Sequence, residues 1–140
     1  MPNAVKWSSP TNFSTGISAA TVNDAAGSLG SEYDNETNKH RWMSLELSTT
    51  HGGGAPTGAW FVWIVSALDG TAYENGDAST QPGRIPDAVL GMRSTVNAQV
   101  VTANHIQIPP FKFKLLLWND TGFQGTSVTL DAEVYDEEIQ

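Results

Sequence analysis

Residues 58–68 read GAWFVWIVSAL. Trp60, Phe61, Val62, Trp63, Ile64 and Val65 form an unbroken aromatic and β-branched run, the composition that fits a pleated, buried surface. The length would also suit a helix, but the β-branched and aromatic content and the flanking glycines favour a strand. Side chains alternate between the two faces of a strand. Trp60 and Trp63, three residues apart, therefore point to opposite sides. One belongs in a core and the other on the second face of the sheet, so this strand is central and covered on both sides.

The neighbouring segments repeat the period of two. In residues 41–47, RWMSLEL, Met43, Leu45 and Leu47 share one side, while Trp42, Ser44 and Glu46 share the other. Residues 51–56, HGGGAP, form a turn that no regular element would tolerate. In residues 111–118, FKFKLLLW, Phe111, Phe113, Leu115 and Leu117 point inward and Lys112 and Lys114 outward. Pro109 and Pro110 break the ladder ahead of it, and Asn119 to Gly122 is a turn signal after it. Residues 127–135 alternate again, with Val128, Leu130, Ala132 and Val134 on one face. Residues 89–93 and 99–108 read as further strands. Short strands separated by turn signals predict an all-β, single-domain antiparallel β-sandwich or jelly-roll-like fold. No helix is expected, only a turn near Ala25 to Leu29.

Two stretches are irregular. Residues 69–87 contain three glycines and two prolines, and a loop of that length is usually functional or covers a neighbour. Residues 1–31 are dominated by Ser, Thr, Ala and Gly. They read as an N-terminal arm or as short strands around residues 12–18 and 27–33, ahead of a β-sandwich body at 32–140.

The totals exclude several classes. At 140 residues one domain is the prior, and roughly two-thirds of the unfolded chain's surface is hidden on folding. With no cysteine, disulfides, thiolate zinc sites and thiol nucleophiles are out. Seven Lys and Arg against fifteen Asp and Glu give a net charge of −8, which repels nucleic acid and anionic membranes. The start of the chain lacks a basic segment followed by an apolar one, so a protein made in the cytoplasm and kept soluble is expected. The acidic run from Asp131 to Glu138 reads as a solvated edge and tail.

Catalytic chemistry finds little footing. His40, His51 and His105 lie in separate segments and read as surface or turn residues. No zinc, P-loop or serine-hydrolase motif occurs. Asp69, Glu74, Asp77 and Asp87 supply oxygen ligands without EF-hand spacing and read as a solvated acidic loop. Sequons at Asn12, Asn35 and Asn119 read as chance. Neither enzyme activity nor a cofactor or metal is expected. Five tryptophans are many for this length. Trp7, Trp42, Trp63 and Trp118 are the candidate interface residues: the last three fall on the less apolar or second face of a strand, an apolar surface a monomer would bury poorly.

Residues 32–35 (EYDN), 67–73 (ALDGTAY) with Gly76, 90–93 (LGMR), and 108–116 (IPPFKFKLL) before Asn119 and Gly122 come in a distinctive order. Across that span the chain resembles small virion structural proteins of tailed bacteriophages. The resemblance implies a non-enzymatic part of the particle, with a capsid decoration, or cement, protein as the leading role. It implies a homo-oligomer, with a trimer favoured, that binds the major capsid protein or another virion protein. These motifs are turn formers and strand faces, so no site residue transfers. The alternative expectation, from the tryptophans and the long loop, is a carbohydrate- or receptor-binding β module of a phage tail.

Overall fold

A computed structural model of the chain describes residues 4–139. The strands, in chain order, are β1 (Val5–Trp7), β2 (Thr11–Phe13), β3 (Ala20–Val22), β4 (Ala26–Leu29), β5 (Tyr33–Asp34), β6 (Trp42–Gly52), β7 (Ala59–Ala67), β8 (Ala88–Gly91), β9 (Gln99–Gln107), β10 (Lys112–Asp120), β11 (Gln124–Tyr135) and β12 (Glu137–Ile139). They pair first as one long antiparallel hairpin, nested from the outside inward: β1 with β12, β2 and β3 with β11, β4 and β5 with β10, β6 with β9, and β7 with β8. The midpoint of each such pair falls near the same place in the chain: residue 72 for Lys6 and Glu138, residue 75 for Phe61 and Val89. The long loop between β7 and β8 is the tip of that hairpin.

Two further ladders, β6 with β11 and β7 with β10, roll the hairpin into a sandwich. One sheet has the order β2/β3–β11–β6–β9 and the other β4/β5–β10–β7–β8. With each broken edge counted as one strand position, this is the order of an eight-strand jelly roll. The fold is thus an all-β antiparallel sandwich, as the period-two segments required.

Between the sheets lies the main core. Met43, Leu45 and Leu47 of β6, and Val128, Leu130, Ala132 and Val134 of β11, meet Trp60, Val62 and Ile64 of β7 and Phe113, Leu115 and Leu117 of β10. The inward faces match the alternation read from the sequence, except that Phe111 lies ahead of β10 and is only half-buried. Trp60 and Trp63 do occupy opposite faces: Trp63 packs in a second cluster with Val65, Leu116 and Trp118.

Residues 1–31 supply β1 to β4, and Phe13, Ile17 and Val22 are buried in the main core. A long arm is not seen among the described residues, because Phe13, Ile17 and Val22 are buried in the core and each short strand pairs with β10, β11 or β12. Between β4 and β5 the backbone of Gly30 comes so close to the β2–β3 connection that a Cβ there would sit 2.3 Å from the Thr15 carbonyl oxygen. The Ser31 N–H donates to that same oxygen at 2.7 Å, which closes this side of the sandwich. One helical turn, α1 (Asn35–Asn38), was not foreseen. Asp34 caps it by accepting from the Thr37 N–H, and Lys39 ends it at φ 60°. The expected turn near Ala25 is confined to Asp24 and Ala25, the latter at φ 55°, and β4 follows at once.

Two of the three sequon asparagines are buried structural amides. Asn35 donates to the carbonyls of His40 and Pro109, and Asn119 to those of Val22 and Phe123. The Asn119 carbonyl also accepts from the Thr121 N–H and hydroxyl. Replacing Asn119 by Ala orphans several buried groups at once. We expect Asn119→Ala to lower stability by about 3 kcal/mol in urea denaturation.

Candidate functional site

The outer face of the β11–β6–β9 sheet carries transverse rows of side chains set by the ladder register. Tyr135 lies opposite Trp42, and Trp42 opposite Gln107. The next row runs Asn12, Glu133 and Ser44, and the one after it Asp131, Glu46 and Thr102. In β9 a register shift opposite residues 43–45, with His105 at φ 59°, leaves Asn104 and His105 both exposed. This bulge re-aims the His105 ring, a common use of such irregularities.

The His105 ring stacks on Trp42 at 3.8 Å with 15° between planes. Trp7 stands edge-on to His105 at 5.2 Å and to Tyr135 at 5.5 Å. Trp7 is held there by the outermost pair of the hairpin, β1 with β12. Ser8 secures that pair: its N–H donates to the Asp136 carbonyl and its hydroxyl accepts from the Asp136 N–H, both at 2.8 Å. The Asp136 carboxylate in turn accepts from the Arg41 N–H and meets His40 Nδ1 at 2.9 Å. Of the four candidate tryptophans, only Trp7 is open to solvent, at 56% exposure; Trp42 is half-buried under His105.

Beside this aromatic group the sheet face forms a groove of about 520 Å³ over Asn12, Ser44, Glu46, Asn104, Asp131 and Glu133. A second depression of about 390 Å³, walled by Trp7, Pro10 and Tyr135, shares Ser44 and Asn104 with it, so the two are continuous. Among the described residues, the Glu46, Asp131 and Glu133 carboxylates form no ion pair.

Trp63 and Trp118 correct the sequence expectation. They are 2% and 6% exposed and packed in the second core cluster. The loop between β7 and β8 folds back over the outer face of the β10–β7 sheet and covers them. The Trp63 indole N–H donates to the Arg84 carbonyl at 3.0 Å. The Arg84 guanidinium clamps the loop: it donates to both Glu74 oxygens, to Asp87 and to the Ile64 carbonyl. These partners, Glu74 first, raise the Arg84 pKa despite partial burial. Tyr73 lies under the Lys114 ammonium, 4.4 Å from its ring centre, and bonds Glu32. Burial, and after it the Glu32 hydrogen bond and charge, pushes the Tyr73 phenol up to about 12.

The loop carboxylates are taken up in turns and backbone contacts. Asp87 also accepts the Ile64 N–H, Asp69 caps the N–H groups of Thr71 and Ala72, and Asp77 that of Ser79. Among the described residues no group of three His, Cys, Asp or Glu side chains converges as a metal site, and no helix is long and apolar enough to cross a membrane. His51 departs from the surface reading. It belongs to the end of β6 and is 3% exposed, because β11 continues the ladder opposite it. The Trp60 indole donates to its Nε2 at 3.3 Å, and burial holds its pKa below the ordinary 6.5.

No family model, no curated protein and no solved structure matches this chain.

Two outcomes follow from the clamp and the buried imidazole. Arg84→Ala should release the loop, seen as a red-shifted tryptophan emission and easier acrylamide quenching, with a stability loss of about 1–2 kcal/mol after allowance for solvent screening. For His51, the unfolded chain takes up a proton near 6.5 and the folded one only at lower pH. Its contribution to stability is therefore full above that value and lost as pH falls. The slope reaches at most about 1.4 kcal/mol per pH unit for one proton. His51→Gln should flatten the decline between neutrality and mild acid in urea titrations.

Proposed function

We propose that this chain is a non-enzymatic structural protein of a tailed-phage virion: a decoration, or cement, protein that sits on the head as a homo-oligomer. It would be made in the host cytoplasm and assembled onto the major capsid protein or another virion protein. The resemblance over residues 32–122 motivates the reading. Jelly rolls serve in viral capsids and lectins alike, which is an analogy at the level of fold only.

The observation that carries the reading is the β9 edge. The other sheet edges are short: β2 and β3 have three residues each, β4 and β8 four, and β5 two. β9 has nine, contains neither a proline nor a charge, and lies within residues 94–111, where no Asp, Glu, Lys or Arg occurs. Proteins blunt their edges with short strands, charge and proline to avoid pairing with other chains. This edge has none of those devices over residues 99–103, ahead of the bulge. Val89, Val96 and Val100 of the same flank are 58%, 54% and 63% exposed. In a chain of net charge −8, this flank offers a second copy little like-charge repulsion.

A trimer requires β9 to meet a different edge of its neighbour, since β9 against itself closes as a dimer. Residues 5–34 are paired into the body, so the shell contact falls on edges and faces and not on a long free arm.

One observation favours the second reading, a carbohydrate- or receptor-binding module of a tail: Trp7 stands exposed beside a polar groove.

Light scattering should find a closed oligomer, and co-sedimentation should find it bound to expanded phage heads. Val100→Lys with Thr102→Lys should leave the fold intact and abolish both. A wild-type chain that remains monomeric at high concentration and ignores the heads would sink the decoration role.

A further inference from the structure

Among the fifteen Asp and Glu residues of this chain, two groups contrast. Asp24, Asp34, Asp69, Asp77, Asp87 and Asp136 each accept hydrogen bonds that shape a turn, a cap or a strand end. Glu46, Asp131 and Glu133 shape nothing: they are exposed on the outer sheet face, without an ion pair among the described residues. Asp131 is the ladder partner of Glu46, and Glu133 lies in the adjacent row, opposite Ser44. Like charges directly opposite one another destabilise a sheet. The fold therefore carries a local penalty here that its own contacts do not offset.

The groove above these groups is unbalanced in hydrogen bonding. Three carboxylates only accept, whereas Ser44, Asn12 and Asn104 both donate and accept. The matching ligand is rich in donors and positively charged. It must also present apolar faces, because Trp7 and Tyr135 wall the continuous end of the groove. Hydroxyls, ammonium groups and a ring with apolar C–H faces occur together in amino sugars.

We propose that the outer face of the β11–β6–β9 sheet binds an oligosaccharide of amino sugars with free ammonium groups. Glu46, Asp131 and Glu133 accept from its ammonium and hydroxyl groups, and Trp7 stacks on a sugar ring. This rests on the carbohydrate-binding reading of the face and is independent of pairing at the β9 edge. Anionic sugars are rejected by the same three charges.

The test titrates the full chain, at near-physiological salt and slightly acidic pH, with a β-1,4-linked glucosamine hexamer, following heat and tryptophan fluorescence. The N-acetylated hexamer, a galacturonate hexamer and hexalysine are run in parallel. Saturable binding of the glucosamine hexamer is expected, with a change in tryptophan emission and no response to galacturonate. Glu46→Gln with Asp131→Asn should weaken binding at least about tenfold, since charge-assisted hydrogen bonds are lost. The same pair should unfold at higher urea than the wild type, because the repulsion is relieved. Trp7→Ala should also weaken binding, whereas Glu137→Gln with Glu138→Gln should not.

Binding of the N-acetylated hexamer alone would leave the carbohydrate reading standing and overturn the amino-sugar assignment. No binding of any saccharide would remove both. Hexalysine binding at least as tight, and equally sensitive to the Glu46 and Asp131 changes, would reassign the groove to a basic peptide and overturn the proposal.

Discussion

The nine-residue ladder between β7 and β10 carries large apolar side chains on both faces, and neither face can be left to water. Full burial of one such side chain is worth about 1.5–3 kcal/mol. Trp60, Val62, Ile64, Phe113, Leu115 and Leu117 demand a second sheet, which β6 and β11 provide. Trp63, Val65, Leu116 and Trp118 demand a cover as well. The segment that returns over them is the tip of the nested hairpin, residues 68–87. Arg84 keeps it there by joining the Glu74 and Asp87 carboxylates to the β7 backbone.

That commitment decides where recognition can occur. With one outer face closed by the loop, the other sheet presents the only broad outer face free of such a cover among the described residues. Its outward positions are polar or charged, apart from Val100 and the aromatic group of Trp7, Trp42, His105 and Tyr135. Those rings come from β1, β6, β9 and β11, and they meet because the outermost hairpin pair lies across one end of the sheet. The β9 edge adjoins the same face. Assembly through the edge and ligand binding on the face would therefore use neighbouring surfaces of one rigid sheet, the kind of support that holds site geometry well.

Much of this was legible in the residues. Period-two alternation identified the inward rows of β6, β10 and β11, and the doubly apolar run at residues 58–68 placed β7 at a sheet centre with its two tryptophans on opposite faces. Trp7 and Trp42 were read as candidate interface residues; Trp7 stands exposed and Trp42 lies half-buried under His105. Trp63 and Trp118 were misjudged because alternation reports which face a side chain takes, not what later covers that face. A lone Arg84 among Glu74 and Asp87 was the available signal, and a weak one. His51 was misplaced for a related reason: its glycine-rich context reads as a turn, yet the β11 partner extends the ladder through it.

By itself, the sequence determined the class of element, the faces of the long strands, the absence of disulfide chemistry and the negative charge. These follow from local periodicity and composition, which need no knowledge of distant partners. Only the tertiary structure decided the nested order that makes a jelly roll, the incorporation of residues 5–34 as edge strands, and the burial of two candidate tryptophans. It also decided the meeting of Trp7, Trp42, His105 and Tyr135 beside the Glu46, Asp131 and Glu133 carboxylates. Each of these depends on pairings between residues as far apart as Lys6 and Glu138, where chain entropy is offset only by the completed fold.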